Sequence, residues 1–281
     1  MHTGELTPTP IVDAHCHIYP PKIAARAVDS VGEFYHIPML GVPAEAGIIP
    51  GTPEHLLAIS EGTGITHHLV HSVAVKAKTV ESINDFIAGE CARHPNFIGF
   101  AAMHQDYADP RAELVRAKAA GLRGIKIHPD TQGVNLDDDR LMRVYEIAQE
   151  LGLPVLIHMG DYRYDYSHPR RLKHVLHEFP DLVVCGAHFG GWSVFDLAVE
   201  YLADERCYLD CSSSMKFIGL RRTRELIDIY GADRILFGSD FPMWDPGVEL
   251  RRLKSVGLSA DDWEKITFRN VERFVGLKLS A

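Results

Sequence analysis

Residues 121–158 read GLRGIKIHPDTQGVNLDDDRLMRVYEIAQELGLPVLIH. Two short apolar runs, 123–128 and 154–158, flank an amphipathic stretch over 138–151. Gly121 closes one helix before Leu122, and Gly152-Leu153-Pro154 closes the next and opens a strand. Strand, helix and strand in so short a span form a βα unit whose strands pair in parallel.

The unit repeats outward in both directions. Further strands are expected at 10–15, 67–73, 97–103, 182–188, 207–211 and 234–239. Helices are expected at 79–93, 110–120, 168–179, 193–203, 219–230 and 246–256, and a last one starts at Asp261-Asp262-Trp263-Glu264. From the second strand on, strand starts recur every 25 to 31 residues. That regularity predicts an α/β fold, a closed (β/α)8 TIM barrel, for which about 250 residues is typical. A doubly wound open sheet lacks support, because no GxGxxG follows the first strand. All of 1–281 is then a single domain. The first interval is 57 residues, so an insertion, about 18–51 and rich in Pro and Gly, follows strand 1. It is expected over the barrel mouth as a lid or substrate wall.

The chain has 281 residues, 29 Lys+Arg against 38 Asp+Glu, and a net charge of −9. Mean hydropathy is −0.07. These values exclude disordered and low-complexity classes. The acidic balance argues against nucleic acid, including the nuclease barrels that share an HxH start. No run reaches the roughly 18–20 apolar residues of a membrane span. Met1 to Pro10 is polar and Pro-rich, unlike a signal peptide. Cys16, Cys91, Cys185, Cys207 and Cys211 form no CxxC pair and read as reduced thiols of a cytoplasmic protein. A homodimer is left open.

Sixteen histidines are the compositional oddity, and their placement is what carries information. Strand 1 ends Asp13-Ala14-His15-Cys16-His17, and alternation puts Asp13, His15 and His17 on one face. Strand 4 offers Lys126 and His128, strand 5 ends at His158, strand 6 at His188, and strand 8 at Asp240. In a barrel these ends converge on one axis. Neutral imidazoles with a carboxylate at convergent positions suit zinc or a similar divalent ion. His67, His68 and His71 on strand 2 read as structural.

The blocks VDAHCH, GLRGIKIHPDTQG, LPVLIHMGD, FPDLVVCGAHFGG, YLDCSSS, GADRILFGSDFPM and NVERFVGL resemble the amidohydrolase superfamily. Within it they resemble the amidohydrolase-related family of aminocarboxymuconate-semialdehyde decarboxylases and lactone hydrolases. The likeness runs from about residue 10 to 277. It implies His15, His17, His158 and Asp240 as ligands of one divalent ion, zinc first and manganese second. A second ion bridged by a carboxylated Lys126 is the less favoured arrangement. It also implies His188 and Asp240 as catalytic groups and Asp13 as an acid behind the histidines. Lys126 and His128 would then hold an anionic part of the substrate.

The expected activity is hydrolysis of a small, carboxylated ester, lactone or amide by a metal-activated water, with Asp240 as general base. The alternative on the same site is non-oxidative decarboxylation of a small unsaturated or aromatic acid. A barrel that binds a ligand without catalysis is the alternative of another class. Arg163 could meet a substrate carboxylate in bidentate fashion, and Trp192 and Trp244 could line the pocket. His104, His36 and His55 are weaker candidates.

Overall fold

The computed structural model describes residues 9–37 and 45–279. Nine strand segments are present among them: β1 (Val12–His17), β2 (His67–His71), β3 (Phe97–Gly99), β4 (Ala101–Ala102), β5 (Ile125–Ile127), β6 (Val155–Ile157), β7 (Val184–Gly186), β8 (Tyr208–Asp210) and β9 (Ile235–Leu236). All neighbours pair in parallel and in sequence order. β3 and β4 are one barrel strand interrupted at Phe100. The ladder continues through the break, since the Phe100 amide donates to the Val70 carbonyl at 2.9 Å and the Ala101 amide to Gly124 at 2.8 Å. Phe100 lies so close over Gly124 that a Cβ there would come within 2.4 Å of its ring, which is why position 124 carries none.

Hydrogen bonds beyond β9 complete the ring. The Ala14 amide donates to Phe237 at 2.8 Å, Asp240 to His15 at 2.8 Å, and His17 to Phe241 at 2.7 Å. The result is the expected (β/α)8 barrel. Its first strand begins two residues later than the 10–15 estimate, so His15 and His17 lie within the strand.

Helices open and close where local chemistry directs. Six of them start on proline, at Pro21, Pro53, Pro110, Pro129, Pro169 and Pro246, where a missing N–H costs nothing. Asp109 and Asp245 cap theirs by accepting backbone amides at 3.0 Å. Gly152 ends Asp139–Leu151 in the left-handed conformation (φ +63°).

The segment after β1 is more ordered than its Pro and Gly content suggests. It holds α1 (Pro21–Tyr35), with Ala24, Val28 and Gly32 buried. Residues 38–44 of the expected insertion lie outside the described residues. A second helix, α2 (Pro53–Ser60), follows.

An apolar plug fills the lower barrel, with Val12, Ala14, Leu69, Phe100, Leu156 and Leu236 at its centre. The helix Asn270–Val275 closes it from below, and Phe274 packs against Phe100 and Tyr208 at ring distances of 5.8 and 5.5 Å. All five cysteines are free. No helix among the described residues is long and apolar enough to cross a membrane.

Candidate metal centre

At the C-terminal rim the strands deliver buried polar side chains. His15 Nε2 and His17 Nε2 lie 3.3 Å apart, and each is 3.4 Å from Asp240 Oδ1. Donors about 2.1 Å from a tetrahedral ion lie about 3.4 Å from one another. The three atoms therefore already have the spacing of ligands around one divalent cation. Gly238 makes room for this approach, because a Cβ there would meet His15 Cβ at 2.9 Å.

The charge states agree with that spacing. Burial pushes His15 down to about 4, with Lys126 adding to the effect and Asp210 and Asp240 opposing it. Burial likewise lowers His17, so both imidazoles are neutral, the form that binds a metal, at neutral pH. Burial alone would raise Asp240, but His15, a hydrogen bond from His17, and His188 hold it well below the ordinary carboxylate range. His15 Nδ1–H donates to Asp210 Oδ2 at 2.9 Å. That bond fixes the tautomer with Nε2 facing the centre, a carboxylate–histidine pairing typical behind a metal ligand.

A second polar group stands beside the first. His188 Nδ1–H donates to the Ser212 carbonyl at 3.0 Å, which leaves Nε2 to meet His158 Nδ1, also at 3.0 Å. His158 stacks on His128 with ring centres 3.9 Å apart. The Tyr35 hydroxyl of α1 caps the stack, 2.9 Å from His128 Nε2 and 3.3 Å from His158 Nε2. Burial drives both His128 and His158 well below the usual histidine range.

The backbone is bent to present these groups. Asp240 (φ +64°), His188 (φ +59°), Phe189 (φ +52°) and Ser213 (φ +49°) all adopt the left-handed region, at roughly 1–3 kcal/mol each for a non-glycine residue.

A cavity of about 670 Å³ opens over both groups and touches His17, His128, His158, His188 and Asp240. Its outer wall is apolar, with Ile23, Val31 and Phe34 from α1 facing Ile83 and Phe86. α1, in the segment after β1, thus forms one wall of the cavity.

Several sequence-derived candidates lie off the cavity. Lys126 is buried at the centre itself, its Nζ 3.0 Å from the inward-facing Nε2 of His15, and it is not among the residues lining the cavity. Burial pushes it down to about 8. Arg163 does not face the cavity either. It pairs with Asp161 through Nε to Oδ1 at 2.9 Å and Nη2 to Oδ2 at 2.6 Å, and Nη1 donates to the Phe34 carbonyl at 2.6 Å. It holds the end of α1 and so positions Tyr35. Asp13 was expected to share a face with His15 and His17. The pairing of β1 with β2 slips between Asp13 and Cys16, and Asp13 Oδ1 accepts the Ser239 amide at 2.8 Å and the His15 amide at 3.3 Å, which places it behind the histidines and away from the cavity.

Trp192 lines the cavity and meets Tyr35 edge-on at 5.2 Å. Trp244 stands one layer back and donates to Ser213 Oγ at 2.7 Å. His104 accepts the Asp106 amide, His36 ends α1, and His55 accepts the Gly51 amide.

Asp210 is the main residue that sequence reasoning passed over. It ends the apolar run of β8 just as His188 follows β7, so the same signal marked it. Besides His15, it accepts the amides of His188 and Ser212 at 3.0 Å. Burial would raise it, yet His15, His188 and a hydrogen bond from the Ser212 hydroxyl hold it far below the usual range.

With this geometry in place, comparison with known proteins decides the family. The chain matches the family of amidohydrolases over residues 12–277. It belongs to the amidohydrolase family. The chain is 23% identical over 237 residues to a 2-amino-3-carboxymuconate-6-semialdehyde decarboxylase of Dictyostelium discoideum, spanning 69% of this amidohydrolase and 66%, just under two thirds, of that relative. Among solved structures it resembles a 5-carboxyvanillate decarboxylase from Novosphingobium aromaticivorans complexed with manganese and 4-hydroxy-3-methoxy-5-nitrobenzoic acid. That match has a TM-score of 0.75, 17% identity, and 96% and 97% of the two chains covered. It also resembles a probable 2-pyrone-4,6-dicarboxylic acid hydrolase from Acinetobacter baumannii, with a TM-score of 0.67, 16% identity, and 95% and 99% covered.

Proposed function

We propose that this amidohydrolase is a metal-dependent decarboxylase of a small unsaturated or aromatic acid. The observation that carries the proposal is the trio of His15, His17 and Asp240 donors at ligand spacing, opening onto a cavity whose outer wall is apolar. A divalent ion held there, zinc or manganese, would supply a Lewis acid against the oxygens of the bound acid. The relatives named above favour decarboxylation over the hydrolysis expected from sequence.

The chain's own groups do the rest. Ile23, Val31 and Phe34 exclude water from the body of the substrate. His128, His158 and Tyr35 orient its polar substituents. Asp240, ionised at rest, takes up a proton and returns it to the carbon that loses the carboxylate. His188, locked through Nδ1 to the Ser212 carbonyl, presents Nε2 to the same side. The carboxylate and one proton are replaced by a C–H bond and carbon dioxide.

Metal-replete protein is offered carboxylated aromatic acids, unsaturated acids and lactones in ¹⁸O-labelled water. Carbon dioxide release with a protonated product supports decarboxylation. Incorporation of ¹⁸O into the product without carbon dioxide sinks it in favour of hydrolysis. Binding without turnover of any class leaves a ligand-binding barrel.

A further inference from the structure

Two helices line the cavity beyond the metal centre, and each carries two apolar stripes. α1 buries Ala24, Val28 and Gly32. Ile23, Ala27, Val31 and Phe34 recur at helical spacing on another side of it and line the cavity. The facing wall is α3 (Val80–Arg93), which buries Val80, Asn84, Ile87 and Glu90 and lines the cavity with Ile83 and Phe86. A surface helix ordinarily has one apolar stripe and a polar face opposite it. The second stripe on both helices borders the cavity.

That wall is pre-formed. The Arg163 guanidinium lies 5.0 Å over the Phe34 ring, and Tyr164 stacks on the same ring at 5.8 Å. At the mouth, Ile23 and Val75 remain 47% and 52% exposed.

Size and charge narrow the occupant. An apolar cavity of about 150 Å³ is enough to take one benzene ring. The cavity here measures about 670 Å³, so a single-ring acid seated at the centre leaves most of it unfilled. Water in the remainder faces apolar walls, and its replacement by an apolar group is favourable. Among the described residues Asp240 is the only acidic side chain that lines the cavity, while Arg26 and Lys76 line it from exposed positions. The balance favours an anion.

We infer that the substrate is an acid with an extended apolar substituent, its carboxylate end at the centre and its substituent seated between α1 and α3. The substituent is about the size of a second ring or a butyl to hexyl chain. The inference rests on the reading of the centre as one that takes a carboxylic acid, and narrows which acids it takes.

The test uses the full chain replete with manganese. Salicylic acids bearing hydrogen, methyl, butyl or phenyl para to the carboxylate are titrated by tryptophan fluorescence, and carbon dioxide release is followed on the same series. Affinity is expected to climb with apolar size, reaching about 100-fold between hydrogen and butyl. Ile83→Trp and Ala27→Phe each fill the space between the helices, and either should cut that ratio below about tenfold with circular dichroism unchanged. One variant serves should the other fail to fold. A series that is flat or falls with size, a ratio that both variants leave at about 100-fold, or no binding of any member at millimolar concentration overturns the inference. Binding that climbs with size and is cut by the variants, without carbon dioxide release, upholds it and removes the decarboxylase reading instead.

Discussion

The two ends of the barrel are built on opposite terms. The lower end is a plug of Val12, Leu69, Phe100, Leu156 and Phe274, all apolar and none in the left-handed region. The upper rim buries His15, Lys126, Asp210 and Asp240 and bends its backbone at His188, Phe189, Ser213 and Asp240, among others. One fold thus keeps stability at one end and reactivity, with its strain, at the other. Changes at the plug should then move stability and spare chemistry, and changes at the rim should do the reverse.

The largest expected effect is at Asp240. Asp240→Asn keeps a side chain that tolerates left-handed backbone but removes the proton carrier and the charge. We expect kcat/KM to fall by about 10⁴-fold, roughly 5 kcal/mol, with the thermal midpoint of the metal-free protein unchanged or raised. Near-normal turnover would remove Asp240 from the chemistry.

Next comes the plug. Phe274→Ala should lose about 3–5 kcal/mol in denaturant unfolding, with kcat/KM of the folded protein within about twofold of wild type. A fall in kcat/KM at full stability would erase the division between the two ends.

Glu249 tests whether buried charge far from the cavity also weakens the fold. Burial raises its carboxyl to about 7, with Arg252 opposing. Its folded pKa lies above the unfolded value of 4.5, so the protonated form is the one folding favours. That contribution is complete below about pH 4.5 and is lost as pH rises through 7. Relative to Glu249→Gln, wild type should lose up to about 3 kcal/mol across that window, read from chemical melts at pH 4.5 and 7.5. Parallel curves would contradict it.

The smallest effect is at the roof. Tyr35→Phe removes one hydroxyl from His128 and His158, which should raise KM several-fold, about 1 kcal/mol, with kcat little changed. A loss confined to kcat would place Tyr35 in the chemical step instead.

Most of the rim was legible because each strand there is a short apolar run that stops at a polar residue. His15, His17, His188 and Asp240 all follow that rule, and the structure gathers them. Asp210 obeys it too and was missed only because its run, Cys207 to Asp210, is shorter and less apolar. α1 was hidden differently. Its apolar residues recur at helical spacing from Ile23 to Tyr35, but prolines and glycines on either side masked the period. The slip in β1, and the tie of Arg163 to the Phe34 carbonyl, depend on neighbours distant in the chain. No local pattern encodes them.

The left-handed backbone at Asp240 bears on inheritance as well as on chemistry. Selection at this position would act twice, first on which residues the bend accepts and only then on what their side chains do. Aspartate, asparagine and glycine pass the first filter readily. A saturation library sorted for folding alone should therefore already be narrowed at codon 240, before any substrate has been offered.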